Sequence, residues 1–492
     1  MSCVVPPDGM FGRRKIISNA SEITRANVLT VLGKALPVHN ANVAEINYLY
    51  GVYRGKQDVR HKTKVVRPEI NNRVVLNRAN QIVTFKTGFF LEGPIQYVSA
   101  GGKRDVSDAI TTLNSQMAYL GKEPLDKEIL DWVHICGVGV RMCLPNKNPA
   151  DGEPPFLVYA IDPRDAFVIY SGRLGNPAMA GVLIQKDAED KTLYCIYTES
   201  EYFEVSGNQI TRYAPHTVPY IPMIEYSNNM ARLGAFETVL SPLNMINTIE
   251  SNRVDSIQDF VNAFDVFQNC ELADGQYSEL AKGGMAIQVS SQPGMEAKVY
   301  RIASELNQQN AQTIVDDLTE TILTIVGMPN RNGGTSTSDT GGAVIFRDGW
   351  ADASSRADDT QKMWDLSERE FLRIVFHIAR ETGAFDLQMS DVKIEHTRNN
   401  LANMQTRMQI LCEGLNNDKI HPKIPWIVSG MPNAEEWYQI SNDWYEQKQA
   451  ELAETLTFGP DSGTDENAGN GVGGSTSNST SNSTGDVNGG AA

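Results

Sequence analysis

Residues 236–264 decide the fold of this chain, and they read FETVLSPLNMINTIESNRVDSIQDFVNAF. Apolar residues recur there every three, four or, once, five positions: Val239, Leu243, Ile246, Ile249, Val254, Ile257, Val261 and Phe264. This period is that of an amphipathic α-helix. At a rise of ~1.5 Å per residue the helix would be about 43 Å long, which is unusual in a globular protein. Its polar face carries Glu250, Arg253, Asp255 and Asp259, and Pro242 lies in the first turns, where proline is tolerated.

A second helix of the same kind is predicted over residues 306–326. Its apolar residues Ala311, Ile314, Leu318, Ile322 and Ile325 alternate by three and four, and Gly327 and Pro329 follow as stop signals. Between the two helices, short strands are predicted at residues 270–272, 286–289 and 298–302. The pattern therefore predicts a hairpin of two long helices with a small β-containing insert at its tip.

Helices and a β-rich region precede the hairpin. Residues 1–40 are mixed in character, whereas residues 42–53 show helical spacing and stop at Gly55. Residues 74–95 predict a helix that turns into a strand, and a polar segment at 106–122 precedes a helix at 125–134. Short β-branched and aromatic runs follow at residues 138–144, 156–161, 166–170, 181–185, 192–197 and 202–205. We expect an antiparallel sheet over residues 135–225 and an α+β fold overall.

A glycine-rich loop and further helices follow the hairpin. Residues 330–342 read NRNGGTSTSDTGG, which contains no apolar side chain and predicts an exposed, mobile loop. We expect a third long helix over 343–382, a strand at 392–395, and helices at 400–415 and 434–454. Residues 458–492 contain mainly Gly, Ser, Thr and Asn with no Lys or Arg, so they should form a disordered tail.

Length and composition restrict the function. With 492 residues, the chain exceeds what one hydrophobic core usually fills and should form two to four sub-structures. Its 43 Lys and Arg against 60 Asp and Glu give a net charge of −17, which argues against a protein that wraps duplex DNA by neutralising phosphates. The six cysteines are widely spaced, which favours reduced thiols in the cytosol. We expect neither a signal peptide nor a membrane span, because no run of 18 apolar residues occurs.

The sequence offers no catalytic or metal-binding motif. It lacks the P-loop pattern and the G-x-S-x-G pattern, and its seven histidines have no zinc-site spacing. Gly137-Val-Gly139 lies between a helix and a strand, the reverse of the order that a dinucleotide site needs. Adjacent acids such as Asp316 and Asp317 would point about 100° apart on a helix, which suits a solvated face better than a two-metal site. We therefore predict no cofactor and no metal.

The loop at residues 330–342 allows two interpretations. Gly-rich backbone donors ahead of a helix can bind an anion such as phosphate. A plain flexible connector has the same composition. The placement between two long helices favours a functional role, because it would hold the loop at the end of a rigid scaffold.

Several stretches together resemble the portal proteins of tailed double-stranded DNA bacteriophages, in particular the type in siphophages of Gram-positive hosts. The matching stretches run in order through residues 48–57 (YLYGVYRGKQ), 77–83 (NRANQIV) with Gly88 and 91–95 (LEGPI), 161–170 (IDPRDAFVIY), 221–229 (IPMIEYSNN), Phe236-Glu237, and 340–343 (TGGA). The long helix adds Asn244, Ser251, Asn252 and Asp255. The resemblance covers residues 40 to 415, and residues 221–229 are its most specific part.

The resemblance implies a ring of identical subunits, usually twelve, around a central channel, with no catalytic activity of its own. It implies an N-terminal segment (1–40), an α/β wing (41–235), stem helices (236–265 and 304–329) around a clip (266–303), a tunnel loop (330–342), a long wing helix with a return strand (343–398), and a helical crown (399–457). The implied partners are the terminase large subunit, a head-tail adaptor, the major capsid and scaffolding proteins, and duplex DNA, with no membrane. The implied location is the capsid vertex of the virion, after assembly in the host cytoplasm.

The same resemblance suggests functional residues in three places. The DNA-facing tunnel loop would comprise Arg331, Asn332, Gly333, Gly334, Thr335, Ser336, Thr337, Ser338, Asp339 and Thr340. The clip residues toward terminase and adaptor would be Glu271, Asp274, Glu279, Lys282 and Lys298, and the stem residues would be Glu250, Arg253, Asp255 and Asp259.

The resemblance also gives the negative charge a role, since an acidic channel wall would keep duplex DNA centred by repulsion. Two other hypotheses stay open from sequence. One is a ring at a capsid vertex that acts as scaffold or adaptor without a DNA channel. The other is a nuclease or ATPase whose motifs have diverged.

Overall fold

The structure is a computed structural model, and it describes residues 12–65, 68–101, 104–150, 152–216, 218–261, 264–271, 290–291, 294, 296, 298–302, 308–330, 349–396, 401–417, 419–429 and 434–457. Two compact units divide the chain, residues 1–409 and 410–492. Helix accounts for 49% of the fold and strand for 19%, so the expected mixture of helix and sheet is confirmed.

The helices of the described ranges are α1 (Val28–Tyr53), α2 (Arg78–Phe90), α3 (Ser107–Tyr119), α4 (Lys122–Cys136), α5 (Leu240–Val261), α6 (Gln308–Val326), α7 (Trp350–Thr382), α8 (Leu401–Leu415), α9 (Lys423–Val428) and α10 (Ala434–Thr457). The strands are β1 (Ile16–Ser18), β2 (Gln96–Ser99), β3 (Val138–Pro145), β4 (Phe156–Ile161), β5 (Ala166–Ser171), β6 (Ala178–Lys186), β7 (Thr192–Tyr197), β8 (Glu201–Ser206), β9 (Gln209–Pro215), β10 (Met223–Ser227), β11 (Phe264–Gln268), β12 (Cys270–Glu271), β13 (Ser290–Ser291), β14 (Lys298–Ile302) and β15 (Val392–Glu395).

A six-stranded sheet forms most of the β-rich region, in the order β1-β5-β6-β7-β8-β9. Strands β5 to β9 are successive antiparallel neighbours, and β5 to β8 coincide with short runs predicted from the sequence, whereas β1 pairs with β5 in parallel. Helix α1 contributes to the core beside this sheet, together with residues of β5, β6 and β8: Val28, Val31, Leu32, Phe167, Val182 and Phe203 are all buried there. The sheet and α1 therefore form one α/β layer pair.

A three-stranded antiparallel sheet, β10-β3-β4, lies at the centre of the second core. Helices α2, α3, α4 and α7 share this core with it, and its largest buried side chains include Phe90, Tyr97, Phe156, Tyr226, Trp364 and Phe371. Gly139 of β3 lies so close to α4 that an added Cβ would come within 2.7 Å of the Ile129 carbonyl oxygen. The Gly137-Val-Gly139 segment therefore has a packing role.

The predicted helical hairpin is confirmed. A short 3-10 turn at Glu237–Val239 precedes α5, the small strands follow, and α6 returns beside α5. Strands β11 and β14 pair antiparallel in the register Phe264↔Ile302 to Gln268↔Lys298, and β12 pairs with β13. The predicted strand at 286–289 lies outside the described residues, as do residues 343–348 of the predicted third helix.

Several predicted boundaries are wrong. Helix α1 begins at Val28 rather than residue 42 and contains Pro37, which obscured the pattern. The polar segment 106–122 contains helix α3, whose buried stripe is only Ile110, Leu113 and Met117. The hairpin's first helix ends at Val261, because residues from Phe264 onward pair as a strand with β14. Strands β1, β9, β10 and β11 and helix α9 were not predicted.

The described residues of the second unit form the end of α8 together with α9 and α10. An added Cβ on Gly414 would lie 2.6 Å from Cγ of Pro425, so α8 and α9 are in close contact. Helix α10 leaves Trp437, Ile440 and Trp444 more than half exposed along one side. Among the helices of the described residues, none is both long and apolar enough to cross a membrane.

Candidate functional site: the helical hairpin and its anchors

Helix α5 is held by the connection between α1 and α2, residues 54–77, which we call the strap. Three backbone N–H groups of the strap donate to side chains of α5: Asn72 N to Asp255 Oδ1 at 2.7 Å, Val74 N to Ser251 Oγ at 2.9 Å and Leu76 N to Asn247 Oδ1 at 2.9 Å. The donors are two residues apart in the strap, a spacing of about 6.6 Å in extended chain, and the acceptors are four residues apart in α5, a spacing of about 6 Å along a helix. Because these two spacings are nearly equal, the three hydrogen bonds form one after another along the helix.

Asp255 is the most heavily used acceptor of this ladder. Its carboxylate also accepts hydrogen bonds from Nζ of Lys62 at 2.8 Å and Nδ2 of Asn72 at 2.8 Å. Burial would raise the pKa of Asp255, but these donors outweigh that effect and lower it. Farther along α5, Asn247 donates to Gln57 and Asn244 donates to Asp58 at 2.8 Å. Asp255 of the predicted polar face is thus a buried anchor for the strap, together with Asn247 and Asn244.

Replacing Asp255 with alanine should free the strap from α5. The substitution leaves the Asn72 amide and the Lys62 ammonium without their buried acceptor, which costs about 1.5–3 kcal/mol. We expect the amide of Asn72 to exchange roughly 10–100 times faster in hydrogen-exchange measurements. Asn252→Ala on the exposed side of the same helix is the control and should leave exchange unchanged. Equal exchange rates in Asp255→Ala and the parent protein would contradict the ladder.

Arg253 joins α5 to α6. Its guanidinium donates to Glu250 Oε1 at 2.8 Å, to Gln308 Oε1 at 3.2 Å and to Gln312 Oε1 at 2.9 Å. Two of the predicted stem residues, Glu250 and Arg253, are therefore brought together between the helices. The backbone of Asp259 belongs to α5.

The buried face of α6 differs from the predicted one. Val315, Ile322 and Val326 are buried, whereas the predicted positions Ile314 and Ile325 are 51% and 43% exposed. The predicted stripe therefore holds at Ile322 and at the partly buried Leu318, and only its edge differs, because Val315 and Val326 face the core in place of their isoleucine neighbours. Ile314 and Ile325 are 11 residues apart, close to three full turns, so they lie on one side of the helix.

The two ends of the segment 331–348 lie close together. Helix α6 ends at Gly327, whose φ of +67° suits glycine and whose added Cβ would come within 2.7 Å of Arg356 Cγ on α7. Just beyond, Cα of Pro329 lies 3.7 Å from the position a Cβ would take on Gly349, the residue before α7. The predicted loop residues Arg331 to Thr340 lie outside the described residues, but both of their flanks are fixed on the same packed helices.

A small cavity with basic side chains lies beside these flanks. Phe85, Lys86 and His134 line it together with Gly327 and Arg356. Burial, with a further contribution from Arg356, lowers the pKa of Lys86 to about 8. Burial, with a further contribution from Lys86, lowers the pKa of His134 to about 3, and its Nδ1 lies 3.0 Å from Thr87 Oγ1.

His134 should make the protein less stable in acid. Its pKa is 6.5 when unperturbed and about 3 in the folded chain, so the unfolded chain binds more protons between these values. The contribution of His134 to the free energy of unfolding is therefore complete above pH 6.5. Below pH 6.5 it falls by up to about 1.4 kcal/mol per pH unit. We expect His134→Gln to flatten the decline in melting temperature between pH 6 and 4. His61→Gln, at an exposed histidine, is the control and should lose melting temperature with falling pH as steeply as the parent protein does. An equally steep loss in His134→Gln would show that His134 does not cause the acid sensitivity.

A buried cluster of four charged residues fixes α7 to the second core. Glu368 accepts from Tyr97 Oη at 2.6 Å, Tyr226 Oη at 2.7 Å, Arg141 Nη1 at 2.8 Å and lies 3.0 Å from Lys122 Nζ. Asp126 accepts from Lys122 at 2.5 Å and from Arg141. Burial would raise the pKa of Glu368, but Arg141, Lys122 and the tyrosines hold it at about 2. The two positive and two negative charges therefore neutralise one another in a site where each of the four side chains is at most 4% exposed.

Sequence reasoning missed this cluster. One signal was available, since Arg141 interrupts the apolar run of β3. Lys122 and Asp126 are four residues apart, a spacing that usually indicates an exposed helical pair. The position of Glu368 opposite them depends on tertiary structure, which no local pattern reveals.

The predicted clip residues are only partly within the described chain. Asp274, Glu279 and Lys282 lie outside it. Glu271 belongs to β12, and Lys298, in β14, lies 3.4 Å from Glu296 in an exposed ion pair. No three His, Cys, Asp or Glu side chains converge as metal ligands anywhere in the described ranges.

The comparison with known families decides the family. The family described as "Phage portal protein, SPP1 Gp6-like" matches residues 32–453, most of the chain. The chain belongs to this family of phage portal proteins. Portal proteins are structural, non-enzymatic parts of a channel, so the nuclease and ATPase hypothesis is excluded. The expected portal character is confirmed, and it gives the chain a portal or connector role at the capsid vertex of a virion.

The remaining comparisons add little to the portal assignment. No curated protein matches the chain. One similar solved structure is described as "Neck of empty GTA particle computed with C6 symmetry". It is 9% identical, covers 72% of this chain and 90% of its own, and has a TM-score of 0.42.

Proposed function

We propose that this portal protein assembles as a ring of twelve identical subunits around a channel through which duplex DNA is packaged and ejected. The observation that carries the proposal is the family match over residues 32–453. The hairpin supports it, because Ile314 and Ile325 of α6 and Met245 and Ile257 of α5 remain 43–57% exposed within one subunit. A neighbouring subunit would bury such side chains.

The parts of the chain then take the following roles. Residues 41–235 and the long helix with its return strand (343–398) form the wing, and α5 and α6 form the stem. Residues 266–303 form the clip that docks the terminase large subunit and later the head-tail adaptor. Residues 330–342 form the tunnel loop that contacts DNA, and residues 399–457 form the crown. Major capsid and scaffolding proteins are the further partners, met during assembly in the host cytoplasm.

The acidic balance would let DNA slide through the ring. Tight phosphate contacts would act as a brake, and their release of counterions would make DNA binding steeply salt-dependent. We therefore expect the assembled ring to bind duplex DNA weakly and with a shallow salt dependence, equivalent to roughly one to three phosphate contacts. A steep dependence, with the release of many ions, would contradict repulsive centring.

Mass determination tests the ring. Native mass spectrometry of the purified protein should show one closed multiple of the 54.2 kDa subunit. A monomer at micromolar concentration in the absence of denaturant would contradict the proposed assembly.

A further inference from the structure

The strap is strongly basic although the chain is acidic. Its residues 54–77 contain seven Lys or Arg and two acids, whereas the whole chain carries −17. Lys62 and Lys64 lie beside Asp255, at 2.8 and 3.9 Å. Arg54, Lys56, Arg60 and Arg73 are exposed, and no described carboxylate pairs with any of these four. These four cationic side chains of the strap are therefore available to an acidic partner outside the subunit.

The exposed side of α6 has the opposite charge. The helix contains Asp316, Asp317 and Glu320 but no Lys or Arg. All three acids are exposed, and none has an ion-pair partner within the described chain. The exposed side chain of Ile314 lies on the border of this acidic side, and a contact there would bury apolar as well as charged groups.

The two surfaces lie on different sides of α5. The strap binds α5 at Ser251, and α6 is bonded to it at Arg253. At about 100° per residue, positions two residues apart point about 160° from each other around the helix. The basic strap and the acidic α6 are therefore on opposite flanks of the hairpin, where they cannot pair within one subunit.

We propose that the strap of one subunit docks on the acidic exposed side of α6 of the next subunit. The inference rests on the proposed ring, because a cyclic assembly uses two different, complementary surfaces on each subunit. Opposite charges on the two flanks favour head-to-tail neighbours, since two straps or two α6 helices brought together would repel each other. The contact also withdraws the basic strap from DNA, in agreement with the acidic channel.

A charge-reversal cycle tests the contact in the full-length protein. One variant carries Lys56→Glu and Arg73→Glu in the strap, a second carries Asp317→Lys and Glu320→Lys in α6, and a third carries all four. A control with the same charge change carries Lys147→Glu and Arg173→Glu, at exposed residues of other loops. Native mass spectrometry and sedimentation at 50 and 500 mM salt give the subunit concentration at which half the protein is in rings, and circular dichroism checks folding.

Each two-residue variant should raise that concentration by about tenfold or more at low salt, and the four-residue variant should recover most of the loss. The control should assemble as the parent does. Additive loss in the four-residue variant, or unimpaired assembly of the strap variant, would overturn the proposal. The proposal would also be overturned if the parent ring bound duplex DNA, the strap variant lost that binding, and the α6 substitutions did not restore it. In that case the strap would contact nucleic acid. A parent protein that is monomeric would refute the ring itself.

Discussion

Replacement of residues 330–342 by a short Gly-Ser link should abolish DNA packaging while rings still assemble. The flanks explain why assembly should survive. Pro329 and Gly349 already lie close together and are held by α6 and α7, so a short link followed by the retained residues 343–348 can span between them without moving either helix. The link would remove the two charged residues of the segment, Arg331 and Asp339, together with its polar side chains. The channel would then lack the tunnel loop that we propose contacts DNA.

The measurement is packaging of DNA into capsids that contain the variant, beside the mass of the purified ring. A matched control replaces the exposed turn between β6 and β7, residues 187–190, with the same link, and both packaging and assembly should remain normal. Normal packaging by the 330–342 variant would show that another element contacts DNA. Failure of the variant to form rings would assign the segment to assembly instead.

Removing one charge from the buried cluster should give the largest loss of stability in the first unit. Glu368→Gln leaves Arg141 and Lys122 with excess positive charge in a buried site, and Arg141→Met leaves Glu368 and Asp126 with excess negative charge. Breaking such a buried arrangement costs roughly 3–5 kcal/mol. Because the cluster joins α4, β3 and α7, we expect a lower melting temperature and partial release of α7.

The control is Arg373→Met on the same helix. Arg373 pairs with Glu370 at 2.7 Å, but both side chains are about half exposed, so the change should cost less than about 1 kcal/mol. Equal melting temperatures for Glu368→Gln and Arg373→Met would show that the cluster adds no stability. In the parent protein, the contribution of Glu368 should be complete above its ordinary pKa of 4.5 and be lost as the pH falls toward 2.

Local sequence patterns predicted those elements in which one buried face leaves a regular spacing of apolar residues. The apolar spacing of α5 and the alternating runs of β3 to β8 are examples. Helix α1 was predicted only from residue 42, because Pro37 interrupts a segment that is buried from Val28 onward. Two positions of the α6 stripe were predicted wrongly, because Ile314 and Ile325 are as apolar as the Val315 and Val326 that are buried instead.

The candidate site was less predictable than the fold, for a physical reason. Asp255 was predicted as a stem residue from its helix, but its ladder partner Asn72 lies 183 residues earlier, in a strap whose described residues form neither an α-helix nor a β-strand. The Glu368 cluster gathers residues from sequence positions as far apart as 97 and 368. Periodicity indicates which side of an element is buried, and it does not indicate which charged groups meet there.

End-on electron-microscopy images of the purified protein test whether it forms a portal ring. We expect a closed ring of identical subunits with a central opening wide enough for one DNA duplex. A single subunit, an open filament, or a closed particle without such an opening would contradict it.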